Sequence, residues 1–187
     1  MRKVKLFIAT SLDSFIATTD GGVDWLFGDR DYGYRDFYNS IDTTLMGNNT
    51  YKQILEFGVD FPYTDKTNYV FSKQPQKDTE FVSFIGEDED LVSFVVSLKQ
   101  KEGKDIWLIG GGEINAFFLS HHLIDEMILS VHPVILGPGL PLFAGQLRQQ
   151  DLRLLNCKTF PSGLAQLVYG VLPEESFFPL KKQTGCI

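Results

Sequence analysis

The chain has 187 residues, 43% hydrophobic and 22% charged, the balance of a folded domain rather than a disordered or fibrous protein. A net charge of −7 without a basic stripe makes nucleic acid a poor partner, and no run approaches the ~20 apolar residues of a membrane span. Lys5 interrupts the apolar run after Met1, and Cys157 and Cys186 form neither a disulfide framework nor a metal-ligand pair, so a single cytoplasmic domain is expected over 1–172, with a tail over 173–187.

Residues 4–9, short, apolar and bounded by polar residues, predict a buried strand. A Gly-rich loop follows around Asp20-Gly21-Gly22. From Asp31, the positions Tyr34, Phe37, Tyr38 and Ile41 fall at i, i+3, i+4 and i+7, one face of a helix. Residues 43–46 predict a second strand stopped at Gly47, and Asn49-Thr50 start another helix. Residues 67–71 are rich in β-formers and end at Ser72-Lys73-Gln74-Pro75, and 80–84 give a further short strand. The acidic run 87–90 precedes Leu91, Phe94, Val95 and Leu98, again at helical spacing.

The apolar run 105–109 enters Gly110-Gly111-Gly112, and 113–119 predict a helix with Ile114, Phe117 and Phe118 facing inward. Residues 127–134 read as a strand closed by Gly137-Pro138-Gly139. The segments 152–160 and 164–172 flank Pro161-Ser162-Gly163, a hairpin signal. Strands alternating with helices and then a hairpin imply an α/β sheet, mostly parallel with an antiparallel edge. That hairpin and Phe177-Phe178 in the tail suggest a homodimer, although an edge strand covered within one chain explains them equally.

Ligands of such sheets bind beyond the carboxyl ends of the strands. Three strand ends carry suitable residues: Gly47-Asn48-Asn49-Thr50, Ser72-Lys73 and Ile109-Gly110-Gly111-Gly112-Glu113. Glycines at a strand-to-helix junction let the backbone approach a ligand and leave helix amides facing an anion. Together the three suit an extended nucleotide, though the G-x-G-x-x-G spacing is absent. Asp13, directly after the first strand, is either a turn residue or a cleft acid. Asp31 is either a helix cap or a proton relay, with Asp36 the alternative on the same helix. His121, His122 and His132 lack metal-ligand spacing, so no metal is expected.

Ser11-Leu12-Asp13-Ser14-Phe15-Ile16-Ala17, Asp24-Trp25-Leu26, Leu45-Met46-Gly47-Asn48-Asn49-Thr50-Tyr51, Trp107-Leu108-Ile109-Gly110-Gly111-Gly112 and His132-Pro133-Val134-Ile135-Leu136-Gly137-Pro138-Gly139 occur in that order. This ordered set resembles the dihydrofolate reductase superfamily, most closely stand-alone proteins similar to the reductase domain of the bifunctional riboflavin-biosynthesis deaminase/reductase. The resemblance spans residues 3–172. It implies a three-layer α/β/α fold around a mixed, mainly parallel sheet of about eight strands, with the hairpin at its edge.

It also implies NADPH. The pyrophosphate would sit at Ile109 and Gly110 to Gly112 with amides of Glu113 and Ile114, and the Gly47 to Thr50 turn, including Asn48 and Asn49, would grip phosphates on the adenosine side. Ser72 and Lys73 would meet the 2′-phosphate, and Ala9, Ile16 and Ala17 would line the nicotinamide. Asn48 stands where the folate reductases usually carry Arg, and the D-x-P-x-L-T pattern of the riboflavin reductases is missing after Thr50. The implied reaction is hydride transfer to a C=N or C=O carbon, with reduction of 5-amino-6-(5-phosphoribosylamino)uracil as the family's named activity. Pterin reduction and non-catalytic NADPH binding are the alternatives. Asp31, then Asp13 or a water, is the expected proton source, and Trp25, Tyr34 and Phe37 form the expected substrate wall.

Overall fold

The structure, a computed structural model, describes residues 1–58, 60–74 and 76–173. Its elements in chain order are β1 (Val4–Thr10), β2 (Phe15–Thr18), α1 (Tyr34–Ser40), β3 (Ile41–Gly47), α2 (Asn48–Glu56), β4 (Thr67–Phe71) and β5 (Val82–Ile85). There follow α3 (Leu91–Gln100), β6 (Asp105–Gly110), α4 (Gly112–Ser120), β7 (Glu126–Val131), β8 (Gly139–Pro141), β9 (Leu152–Thr159) and β10 (Ala165–Val171).

Eight strands form one sheet in the order β5-β4-β3-β6-β1-β7-β10-β9. The first six run parallel, and β10 pairs antiparallel with both β7 and β9. The two-residue period of the strands divides the core between the faces. Val4, Leu6, Leu45, Ile106 and Leu108 pack with Val95 and Leu98 of α3 and Phe118 and Leu119 of α4. On the opposite face Met46 and Val70 meet Ile54 of α2, while Ile41 and Trp107 meet Phe37 of α1. This is the expected three-layer α/β/α fold, closed by the expected hairpin around Pro161-Ser162-Gly163.

Several boundaries differ from the sequence reading. Ile41 opens β3 instead of closing α1, because its amide caps the helix on Tyr38 O while its side chain, fully buried, joins the sheet core. β7 stops at Val131, and contact with the β1 side carries on past it through His132 N to Thr10 O. β2 and β8, neither of them expected, make a separate antiparallel pair beside the sheet. β9 is exposed along its whole length, with Leu152, Leu154 and Leu155 at the surface. The Phe177-Phe178 segment lies outside the described residues. Among the described residues no helix is long and apolar enough to cross a membrane.

Candidate active site

The sheet order puts the three singled-out strand ends side by side. β4, β3 and β6 are parallel neighbours, so Ser72, Gly47 and Gly110 emerge on one edge. α2 starts at Asn48 after Gly47 and α4 starts at Gly112 after Gly111, and neither first turn has a side-chain cap. α3 contrasts with them: the Asp90 carboxylate accepts from Val92 N and Ser93 N. Two adjacent helix N-termini thus present amides and positive dipole ends at one place. They meet where a Cβ on Gly111 (φ +70°) would lie 3.1 Å from Thr50 Oγ1.

The three consecutive glycines have different reasons. Gly110 (φ +119°) closes on Ile8 and on the fully buried Asn115, whose Nδ2 donates to Leu142 O. Gly112 lies under β8, where a Cβ would come within 2.4 Å of Pro141 O. Gly111 is the one that faces the Thr50 turn. Ile109 sits below the turn, packed against the α1 and α2 cores, and Ile114 packs on the opposite face and within 3.8 Å of where a Gly47 Cβ would stand.

Around this junction the polar side chains are partly engaged. Ser72 is buried, and its hydroxyl donates to Gln74 O while accepting from Gln74 N and Gln76 Nε2. Gln76 Nε2 also donates to Asn48 Oδ1 at 2.9 Å. Asn49 lies in the first turn of α2. Lys73 is exposed, with its ammonium 3.5 Å from the Glu113 carboxylate.

A cleft of about 360 Å³ opens on the α1 face beyond the ends of β1 and β7. Phe7, Ala9, Ser130 and His132 form its floor, and Leu26, Phe27, Arg30, Asp31, Tyr32, Tyr34 and Leu164 form its walls. Ala9 is the cofactor-assigned residue that reaches it. Ile16 and Ala17 sit in β2, with Ile16 packed on the α3/α4 core and Ala17 buried against β8.

The wall of residues 25–33 is strapped to the sheet at three points. Phe27 N donates to His132 Nε2 at 3.2 Å, Gln166 Nε2 donates to Tyr32 O at 3.0 Å, and Tyr32 Oη lies 2.9 Å from Ser162 Oγ. Because Nε2 accepts, the His132 proton sits on Nδ1, which donates to Ser130 O at 3.1 Å. Burial lowers the His132 pKa below its ordinary value, and the imidazole is neutral at physiological pH.

The carboxylates sort by environment. Asp13 joins two loops: it accepts from Ser11 Oγ at 2.6 Å, Leu136 N at 3.1 Å and Gly137 N at 2.9 Å. The Ser11 hydrogen bond, ahead of those two amides, keeps its pKa below the usual carboxylate value. Asp31 lies on the cleft wall, where it accepts from Gly33 N at 3.2 Å and Arg35 N at 3.0 Å, so it supports the start of α1 and faces the cleft at once. Asp36 is in the first turn of α1 and outside the cleft lining. Of the expected aromatic wall, Tyr34 lines the cleft. Phe37 stacks on Phe7 from behind at 4.3 Å, and Trp25 stands edge-on to His132 at 5.2 Å. The sequence reading missed His132 and Arg30 as cleft residues; the available signal for His132 was its position at the carboxyl end of a strand. Among the described residues no three His, Cys, Asp or Glu side chains gather as metal ligands.

Sheet order, helix placement and the site at the strand ends define a dihydrofolate reductase-like α/β/α domain. The model of the RibD C-terminal domain matches residues 2–166, and the chain belongs to that family, a riboflavin-pathway reductase-like domain. It is 44% identical over 163 residues to YwjB, an uncharacterized protein of Bacillus subtilis (strain 168), covering 85% of this chain and 92% of YwjB. A crystal structure of a provisionally named riboflavin biosynthesis protein from Shewanella sp. PV-4 superposes with a TM-score of 0.81 at 29% identity, over 91% of this chain and 99% of that one. Dihydrofolate reductase from Enterococcus faecalis shares the fold, with a TM-score of 0.67 at 11% identity over 91% and 97% of the two chains.

Proposed function

We propose that the protein is an NADPH-dependent reductase acting on a C=N or C=O bond of a small heterocyclic or sugar-linked substrate, in the manner of riboflavin-pathway reductases. The observation that carries this reading is the meeting of two side-chain-uncapped helix starts, α2 and α4, at Thr50 and Gly111. Uncapped amides beside a glycine that admits close backbone approach suit a pyrophosphate. From β4 through β3 and β6 to β1 is three strand spacings, roughly 14 Å, the reach of an extended dinucleotide.

In this assignment Gly111, Thr50 and the first-turn amides of α2 and α4, including those of Asn49, Glu113 and Ile114, hold the pyrophosphate. Lys73 meets the 2′-phosphate, and Ser72 with Asn48 shapes that end through Gln76. Ala9 offers a small surface between cofactor and cleft, while Ile16 and Ala17 of β2 lie outside the cleft lining, on the α3/α4 core and against β8. When bound, the nicotinamide supplies the hydride. Asp31, at the cleft wall, orients a water that delivers the proton, while Asp13 fixes the loops that frame the site.

Calorimetric titration with NADPH and then NADH at one salt concentration tests this reading. Micromolar or tighter NADPH binding, at least about tenfold tighter than NADH, is expected, the equivalent of one charge-assisted contact. Absence of binding by either nucleotide overturns it. Binding without oxidation across aminouracil, pterin and carbonyl acceptors marks a nucleotide-binding protein without turnover.

A further inference from the structure

The floor of the cleft is Phe7, Ala9, Ser130 and His132, and its polar groups are not equally engaged. Phe7 and Ala9 bring no polar side chain. His132 has both ring nitrogens in use, Nε2 on Phe27 N and Nδ1 on Ser130 O. Ser130 differs. It is 6% exposed and pairs in register with Ala9 of β1 on one side and Gln166 of β10 on the other, so these side chains stand in one row on the cleft face.

Gln166 fixes which way the Ser130 hydroxyl works. A Gln side chain ends in a donor and an acceptor, and Tyr32 O, 3.0 Å away, can only accept, so the atom facing it is Nε2. The same nitrogen lies 3.2 Å from Ser130 Oγ and directs its second hydrogen there. Oγ therefore accepts, and among the described residues its own hydrogen has no acceptor. A buried hydroxyl whose acceptor role is already taken has the cleft as the open direction for its proton.

We propose that Ser130 is a catalytic residue, whose hydroxyl donates a hydrogen bond to the heteroatom of the C=N or C=O bond being reduced. This rests on the reductase reading above and deepens it. Ala9 borders the cofactor side, so a heteroatom held at Ser130 Oγ lies about one strand spacing, roughly 5 Å, from that border. As hydride adds to the carbon, the π electron pair moves to the heteroatom, and its bond to the Ser130 hydroxyl becomes charge-assisted. The heteroatom takes its proton from the water oriented by Asp31, and Ser130 keeps its own.

The test uses the full chain with NADPH and either 5-amino-6-(5-phosphoribosylamino)uracil or dihydrofolate. Ser130→Ala should bind substrate about fivefold more weakly and lower kcat by about tenfold or more, with NADPH affinity unchanged. Ser130→Thr, which keeps the hydroxyl, should restore both to within about threefold. Equal losses in the two variants overturn the proposal. Gln166→Glu replaces the donating nitrogen with an accepting oxygen, which draws the Ser130 proton away from the cleft. In that background Ser130→Ala should change kcat by less than about twofold, and a full tenfold effect there overturns the proposal.

Quenching of Trp fluorescence by the same compounds without cofactor is read separately from turnover. If the parent protein binds them and oxidises no NADPH, the reductase reading falls, and weaker binding in Ser130→Ala with recovery in Ser130→Thr still makes Ser130 the donor. Binding and turnover alike in the parent and Ser130→Ala overturn the proposal and leave the reductase reading standing. Binding of neither compound by the parent overturns it as well.

Discussion

Lys73 Nζ and Glu113 Oε2 stand 3.5 Å apart across the edge where β4 ends and α4 begins, and both side chains are more than three-quarters exposed. An ion pair in that setting contributes about 0–1 kcal/mol to stability, so its weight falls on the charge offered to a ligand. Glu113→Gln should tighten NADPH binding several-fold, and Lys73→Ala should weaken it by about tenfold with NADH little changed. Thermal midpoints should move by no more than about 2–4 °C in either variant. Equal losses for both nucleotides in Lys73→Ala would place the 2′-phosphate elsewhere.

Gly111 and Gly112 separate binding from folding. A side chain at Gly112 runs into the Pro141 carbonyl, so Gly112→Ala should lower the urea midpoint by an amount equivalent to about 1–3 kcal/mol. At Gly111 the added methyl faces Thr50, and the backbone at φ 70° and ψ 150°, a region almost confined to glycine, costs about 1–3 kcal/mol. Gly111→Ala should therefore remain folded and lose NADPH affinity out of proportion to its stability. Thr50→Val, which removes the hydroxyl without backbone strain, checks that the loss belongs to the junction. Calorimetry and urea titration of the three variants decide the assignment.

Asp31 has a double placement, with its oxygens on the amides of Gly33 and Arg35 and its carboxylate at the cleft wall. Asp31→Asn preserves an acceptor for the helix start, so stability should fall by about 1 kcal/mol or less. Turnover should drop by roughly 10²-fold or more, the usual weight of a positioned proton route. NADPH affinity should stay unchanged, because Asp31 lies on the far side of Ala9 from the Gly111 junction. Turnover equal to that of the parent protein would send the proton by another path.

Much of this was legible in the sequence because the signals were local. The glycine turn after 105–109, the acidic start of α3 and the Pro161-Ser162-Gly163 turn each declare themselves within a few residues. Ile41 misled because its i+7 spacing continues a helical face, while its place in β3 is set by its burial against Trp107 and Phe37. β8 has three residues, one of them Pro, and owes its existence to β2, far away in the chain. Asp13 could not be settled for the same reason, since its partners Leu136 and Gly137 lie more than 120 residues away. The cleft around His132 required the parallel pairing of β1 with β7 before the 25–33 strap had anything to bind.

His132 makes that strap sensitive to pH. Its Nε2 takes the Phe27 amide proton and its Nδ1 gives a proton to Ser130 O, an arrangement possible only for the neutral ring. Burial lowers its pKa from the ordinary 6.5, and Trp25 and Phe27 pack on the ring. The unfolded chain therefore binds the proton at higher pH than the folded one. Its contribution to stability is complete above about pH 6.5 and is lost as pH falls through the window down to the folded pKa. One such group changes stability by at most about 1.4 kcal/mol per pH unit. Urea midpoints measured from pH 8 to 5 should fall more steeply in the parent protein than in His132→Gln, where the titrating ring is gone. His121 and His122 are present in both proteins, so the difference isolates His132. Arg30 and Asp31 are the charged groups sharing its cleft, and Asp31→Asn should leave the difference in place if burial is its cause. Parallel profiles for the parent and His132→Gln would show that the ring stays neutral, or titrates normally, without regard to the strap.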